Sequence, residues 1–488
     1  MRATTVIPAR AVAVAAVVAT LSLAGCSESA TAKRAATNAQ LEVAKLLIEH
    51  NATDEDTGFQ GFADHDPWNE LTITGPDKAR IVTVTAEGGL RDFGLTELFF
   101  ETSEPENAAV PIGQVLERLK KGFYPYEADV VGGGEAERKA WFTHDIPEGP
   151  ELISPEEDAG GLDPAGITVS WESVTRDLAG KPVKIVGYQV IVEEVAEPQF
   201  PETFAKPVLS VYLPADATHV SVPAEFMKDD ACWAYEVLAI EASGNQTLAS
   251  AEFETGEGCE ETQEPPEAAP RMKQAKILIE HNATDEDTGF QGFADGDPWN
   301  ELTITGPDGV EIVKATPAGG LFDFGLTEFF FETSEPENAV IPISNVLTHL
   351  PAGTYTFRGM MVGGTISTKT ATLTHDIPAS PQLLTPVDGS TDVDPAGTNV
   401  SWEPVTRDLA GRPVKIVGYQ VIVEEDLAKP LFPDTFAQPK FSVYLPATAT
   451  RVSVPAEFMR SQTDYKYEVL AIEQSGNQTL SSGEFTTQ

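Results

Sequence analysis

The residues whose types and spacing could do chemistry sit in one acidic stretch that occurs twice. IEHNATDEDTGFQGFAD occupies residues 48–64 and recurs letter for letter at 279–295. Asn51, Asp54, Asp56 and Asp64, with Asn282, Asp285, Asp287 and Asp295 in the second copy, carry the oxygen ligands that Ca²⁺ favours, and Asp54-x-Asp56-x-Gly58 opens like a calcium loop. The twelfth position counted from Asp54 is His65, or Gly296 in the second copy, and not the bidentate Glu that completes a helix-flanked loop. A calcium site here would therefore lie in a loop between strands, closed by Asp64 or Asp66. The same letters also spell a tight turn in which Asn and Asp bond nearby backbone and Gly58 takes a positive φ. Phe59, Phe62 and Trp68, with Phe290, Phe293 and Trp299, offer flat rings on which a sugar could stack, or the core of a strand pair.

Other chemistry is sparse. The chain lacks a GxSxG elbow, an HExxH helix, a CxxC pair and a GxxxxGKS/T loop. His65 becomes Gly296 and His219 becomes Arg451 between copies, so neither serves a function that both share; His50 and His144 do recur. A formal net charge of −44, from 76 acids against 32 bases, argues against nucleic acid or an anionic lipid surface as partner and permits cation binding.

The elements that must position these residues come as one long unit copied once. His50 matches His281, Trp68 matches Trp299, His144 matches His375 and Trp171 matches Trp402, always 231 positions apart; after a one-residue insertion near Leu427 the offset is 232, so Tyr235 matches Tyr467. Each copy exceeds the usual domain size and divides in two. The expected modules are 41–148 and 149–255, then an extended acidic, Pro-rich linker at 256–271, then 272–379 and 380–488.

The second half of each unit alternates apolar and polar residues between Pro, Gly, Asn and Asp, as antiparallel strands with one buried face do. VSWEPV, IVGYQVIVEE, FSVYLPA, VSVPAEF, YKYEVLAIE and LSSGEFTT resemble the strands of a fibronectin type III domain. Trp402 takes the place of that family's second-strand Trp, and Tyr465, Tyr467, Val469, Ala471 and Gly476 follow its sixth-strand spacing. In the first copy Trp233 replaces the first Tyr, and an indole cannot make the hydroxyl bond of a tyrosine corner. Cys232 precedes the sixth strand and Cys259 follows the seventh, with their midpoint between Asn245 and Gln246. They are therefore expected to face each other and form a disulfide. The first half of each unit also reads as mostly strand, with a helix of about three turns through Ile112, Val115, Leu116 and Leu119, and suggests an immunoglobulin-like sandwich.

At the front, Arg2 and Arg10 precede an apolar run from Ala11 to Ala24, the layout of a secretory signal over residues 1–25 and too short to span a bilayer. Leu23-Ala24-Gly25-Cys26 resembles the bacterial lipobox. That resemblance implies a lipid on Cys26, a polar tether over 26–40, and a place at the outer membrane or cell surface. The expected fold is all-β: four β-sandwich modules in a row, two immunoglobulin-like and two fibronectin type III. The paired arrangement is similar to bacterial surface proteins carrying fibronectin type III domains. The expected role is non-enzymatic binding or adhesion, with the membrane reached through Cys26 and a polysaccharide or another surface protein as partner, no nucleic acid, and calcium as the one cofactor in question. The competing readings are a carbohydrate-active hydrolase using Glu49, Asp54 or Asp66, and a passive spacer.

Overall fold

The computed structural model describes residues 40–195, 208–256, 269–427 and 440–488. The first copy contains β1 (Val43–Asn51), β2 (Asp56–Thr74), β3 (Arg80–Ala86), β4 (Leu95–Thr102), β5 (Gly122–Val130), β6 (Glu135–Phe142), β7 (Leu152–Ser154), β8 (Ala159–Leu162), β9 (Thr168–Trp171), β10 (Ile185–Glu194), β11 (Val208–Pro214), β12 (His219–Ser221), β13 (Cys232–Glu241) and β14 (Gln246–Thr255). The second copy repeats them as β15 (Met272–Asn282), β16 (Asp287–Thr305), β17 (Glu311–Pro317), β18 (Leu326–Thr333), β19 (Gly353–Met361), β20 (Ile366–Leu373), β21 (Gln382–Thr385), β22 (Ser390–Val393), β23 (Asn399–Glu403), β24 (Ile416–Glu425), β25 (Lys440–Pro446), β26 (Arg451–Ser453), β27 (Asp464–Glu473) and β28 (Gln478–Thr487). The expected three-turn helix is shorter, α1 (Ile112–Leu116) with its equivalent α2 (Ile343–Val346), each capped by a Pro. Pro111 and Gly113 fit only a brief turn, yet Val115 and Leu119 still insert into the core.

The second half of each unit has the strand order of a fibronectin type III sandwich. A three-stranded sheet β7–β9–β12 faces β11–β10–β13–β14, and β21–β23–β26 faces β25–β24–β27–β28. Tyr465 forms the tyrosine corner, its hydroxyl accepting the Arg460 N–H at 2.8 Å, whereas Trp233 donates its indole N–H to the Thr255 hydroxyl at 3.2 Å.

The expectation of four separate sandwiches in a row is corrected by how the copies meet. In the first half of each unit β2 is a bent strand of 19 residues. Its first part pairs with β1 and β4, and beyond Pro67, which cannot donate to a ladder, its second part pairs with β3 and β5. This arrangement leaves β3 and β4 as edges, and both pair with their counterparts: β3 with β17 and β4 with β18, antiparallel. The fibronectin edges β11 and β25 pair too. Val84 lies opposite Ala315, Phe99 opposite Phe330 and Ser210 opposite Ser442, and each of these is a residue facing its own equivalent in the other copy. Only a two-fold relation places equivalents against each other, so the chain folds as a dimer of its own halves. Three sheet edges that would attract other chains are covered by this pairing.

Ladder bonds then close a ring of 14 strands, β1–β2–β4–β18–β16–β15–β28–β27–β24–β25–β11–β10–β13–β14 and back to β1. The ring consists of two stacked layers, one from the first halves of the units and one from the fibronectin sheets. One apolar core, shared by both copies, lies outside it between the first-half sheets, and another runs through both fibronectin sandwiches. Glycines permit the close approach of the copies. A Cβ on Gly89 would fall 1.9 Å from the His349 carbonyl oxygen, and one on Gly320 would fall 2.0 Å from that of Arg118.

Candidate functional site

The repeated stretch divides between a turn and the interior of the ring. At the turn, the Asn51 side-chain oxygen accepts from the N–H groups of Thr53 at 2.9 Å and Asp54 at 3.0 Å, while its amide donates to an Asp54 oxygen at 2.9 Å. Asn282 does the same for Thr284 and Asp285. The left-handed residue is Glu55, with φ of 56°, and its equivalent Glu286, not Gly58. Gly58 lies in β2 beneath Glu104, whose side chain stands 2.6 Å from where a Cβ would be. Asp64 is at the far end of the β1–β2 hairpin, opposite Val43, whereas Asp56 is opposite Asn51. Asp295 is likewise remote from Asp287. The structure thus does not bring either quartet together, and among the described residues no three His, Cys, Asp or Glu could share a metal ion.

The ring platform is also corrected. Phe59, Trp68, Phe290 and Trp299 point into the shared core, and Phe62 and Phe293 point the other way into the ring, all of them buried. Strand alternation sends neighbours to opposite faces, and here both faces are covered. Gly61 serves this packing, since a Cβ there would fall 2.2 Å from the Phe100 ring. His50 bonds through Nδ1 to the Asp56 carbonyl at 2.8 Å and the Thr57 hydroxyl at 3.0 Å, and His144 bonds through Nε2 to the Leu119 carbonyl at 2.8 Å. Each holds its own loop in place.

Inside the ring the residues form three rows across β1, β2, β4, β18, β16 and β15. The middle row is Lys45, Phe62, Phe99, Phe330, Phe293 and Lys276, four rings between two lysines, with Lys276 Nζ 5.8 Å from the centre of Phe293. On one side of it run Asp64, Glu97, Glu332 and Gln291, and on the other their equivalents Asp295, Glu328, Glu101 and Gln60. Glu97 thus faces Glu332, and Glu101 faces Glu328, across the seam between the copies. The fibronectin layer covers these rows, with Gln246 donating to Glu49 and Gln478 to Glu280. Glu97 is 3% exposed and Asp64 7%, and one oxygen of each has no hydrogen-bond partner.

Carboxyls so placed resist ionisation. Burial, then the charge of Glu42, pushes Asp64 up to about 7. Burial, then Glu332, holds Glu97 well above its usual range, and burial, then Glu328, does so for Glu101. At the turn, burial followed by repulsion from Asp54 pushes Asp56 up to about 7. These groups favour the protonated form because the interior offers little solvation and few cations.

Cys26 and Cys259 lie outside the described residues. Cys232 opens β13 and stands opposite Glu254, so the ladder is centred on Ser243 and not on the midpoint that the cysteine spacing suggested.

The sequence reading missed an exposed aromatic pair. Phe123 on β5 and Trp141 on β6 lie directly opposite each other on the outer face, their ring centres 4.6 Å apart. Their equivalents are Thr354 and Thr372, and that paired loss of aromatics was the available signal.

No family model matches the chain, and no curated protein does. Among solved structures it is similar to the FN1–FN3 domains of chicken CNTN1 (12% identity, 70% of this chain and 99% of that one, TM-score 0.20). It is also similar to a tetra-tandem repeat from the extending region of a large adhesion protein (13%, 91% and 100%, TM-score 0.16) and to a 1.5-MDa bacterial ice-binding adhesin (12%, 71% and 99%, TM-score 0.16). The fibronectin-like description of the second half of each unit rests on its strand order. Among the described residues no helix is long and apolar enough to cross a membrane.

Proposed function

We propose that the chain is a non-enzymatic, lipid-anchored protein of the bacterial cell surface that binds a polysaccharide or another surface protein. The observation that carries this reading is where the two copies differ. The rings of the repeated stretch are enclosed between layers, and its turn, where Glu55 and Asp285 reach water, is closed by its own hydrogen bonds. The outward face of β5 and β6 carries two exposed aromatics in one copy and threonines in the other. Lipid on Cys26 and a Cys232–Cys259 disulfide belong to the same reading, supported by the leader and by export to an oxidising compartment. Exposing purified mature protein to a polysaccharide panel tests it: a binding protein retains a polymer without shortening it, and release of shorter chains contradicts the reading. Cys26→Ala is expected to move the protein from the membrane to the soluble envelope fraction.

A further inference from the structure

We propose that the outer face of β5 and β6 in the first copy is a glycan-binding face that takes chains of sugars bearing free amino groups. The proposal rests on the reading of the chain as a binding protein and names the ligand class and the place.

Phe123 is 56% exposed and Trp141 51%. Leaving two large rings in water is unfavourable, and the fold does not require it, since threonine fills both places in the second copy. Their ring planes are inclined by 55° and present a continuous apolar surface, the form on which the C–H face of a pyranose stacks. Along the same face the ladder continues through Pro125 opposite Lys139, Glu127 opposite Glu137 and Asp129 opposite Glu135. Glu127 lies four positions beyond Phe123, roughly 13 Å along the strand. There the face dips into a cavity of about 430 Å³ lined by Glu70, Glu127, Asp129, Glu135, Glu137 and Arg80. Lys139 Nζ sits 3.1 Å from Glu137.

Five carboxylates against the Arg80 guanidinium and the Lys139 ammonium leave a net negative face that repels uronate, sulfate and phosphate and attracts ammonium groups. Carboxylates also accept hydrogen bonds from ring hydroxyls, all of which can donate. Flat rings at one end and acceptors at the other match a sugar chain lying along the strands. A basic peptide fits less well. Extended peptides take most of their affinity from a free strand edge or from pockets for side chains; the rings and carboxylates lie on the face of the hairpin and not along the free edge of β6, and they frame no apolar pocket. The second copy keeps Glu70 as Glu301 but has Arg358, Met360, Ile366 and Thr368 at the places of Glu127, Asp129, Glu135 and Glu137.

The test uses the mature chain from residue 26, with Cys26→Ser for solubility, against immobilised chitosan, a neutral β-glucan, polygalacturonate and polylysine. Chitosan is expected to bind, more weakly at high salt, and polygalacturonate is not. Phe123→Thr and Trp141→Thr, which import the residues of the second copy and so preserve folding, should each weaken chitosan binding at least about tenfold. Thr354→Ala should leave it unchanged. Chitosan binding untouched by both ring variants would overturn this site while leaving the binding reading intact. Polylysine held as tightly and with the same dependence on both rings would overturn the ligand class. Failure of every polymer to bind would overturn the proposal together with the polysaccharide reading beneath it.

Discussion

The β1–β2 hairpin and the β5–β6 hairpin come from the same duplicated unit and have fared differently. The first is identical in both copies through IEHNATDEDTGFQGFAD, and its neighbour β4 differs from β18 only where Leu98 becomes Phe329. The second has changed on its outer face at nearly every place, Phe123 to Thr354, Glu127 to Arg358, Asp129 to Met360 and Trp141 to Thr372. The difference follows from what each touches. Gln60 and Phe62 of the first hairpin belong to the enclosed rows that meet their equivalents through β4 and β18, where Phe99 against Phe330 allows little freedom, whereas the β3–β17 seam accommodates Val84 against Ala315. Residues of β5 and β6 that face water answer to no partner in the second copy. Sameness here marks the enclosed rows of the ring rather than self-pairing as such, since the β3–β17 seam sets Val84 against Ala315, and the water-facing side of β5 and β6 is where the copies are free to differ.

Several changes would break or sharpen that contrast. The largest effect is expected from Phe99→Asp, which removes a ring from the row at the seam and adds a carboxyl to an interior already rich in them. Chemical denaturation should show a loss of at least about 3 kcal/mol, whereas Trp141→Thr on the outer face should cost less than about 1 kcal/mol. Gly89→Ala should follow closely on Phe99→Asp, because its Cβ would overlap the backbone oxygen of His349 in the other copy.

The acid rows predict an unusual pH response. Asp64, Glu97 and Glu101 have folded pKa values raised above their unfolded ones, so the native chain holds more protons than the unfolded chain, from about pH 4 up to about 7 for Asp64 and in the same direction for the two glutamates. Stability from these groups is fully present below their unfolded pKa and is lost as pH rises through the folded values. Thermal melts should therefore show Tm falling from pH 5 to pH 8, by at least about 5 °C. Glu97→Gln with Glu332→Gln, which supplies the same shape without a charge, should flatten that slope. Asn51→Ala removes the bonds that close the turn and should cost about 1 kcal/mol. A chelator should shift Tm by less than about 1 °C if that turn is closed by its own hydrogen bonds alone.

Much of this was legible in the letters. The copying at offsets of 231 and 232, the fibronectin strands and the fate of the Tyr465 position are all visible there, as is the choice at Asn51 between ligand and turn. The meeting of the copies was not. Glu97, Phe99 and Glu101 alternate with Leu98 and Phe100 as a strand with one wet face would, and nothing local says that this face is roofed by a second sheet. Phe62 and Phe59 occupy opposite faces that are both buried, a pattern a lone sandwich also shows. Nothing in the letters sets Phe123 and Trp141 apart from the core aromatics of a strand except their joint replacement by threonine in the second copy.

The central claim is that the duplicated unit pairs with itself through self-complementary edges. Residues 269–488 alone carry every surface that such pairing needs, so sedimentation equilibrium on this fragment is the direct measurement. The structure predicts a dimer of twice the fragment mass, dissociated by Phe330→Asp. A well-folded monomer at micromolar concentration, with the melting temperature of the whole chain, would contradict it.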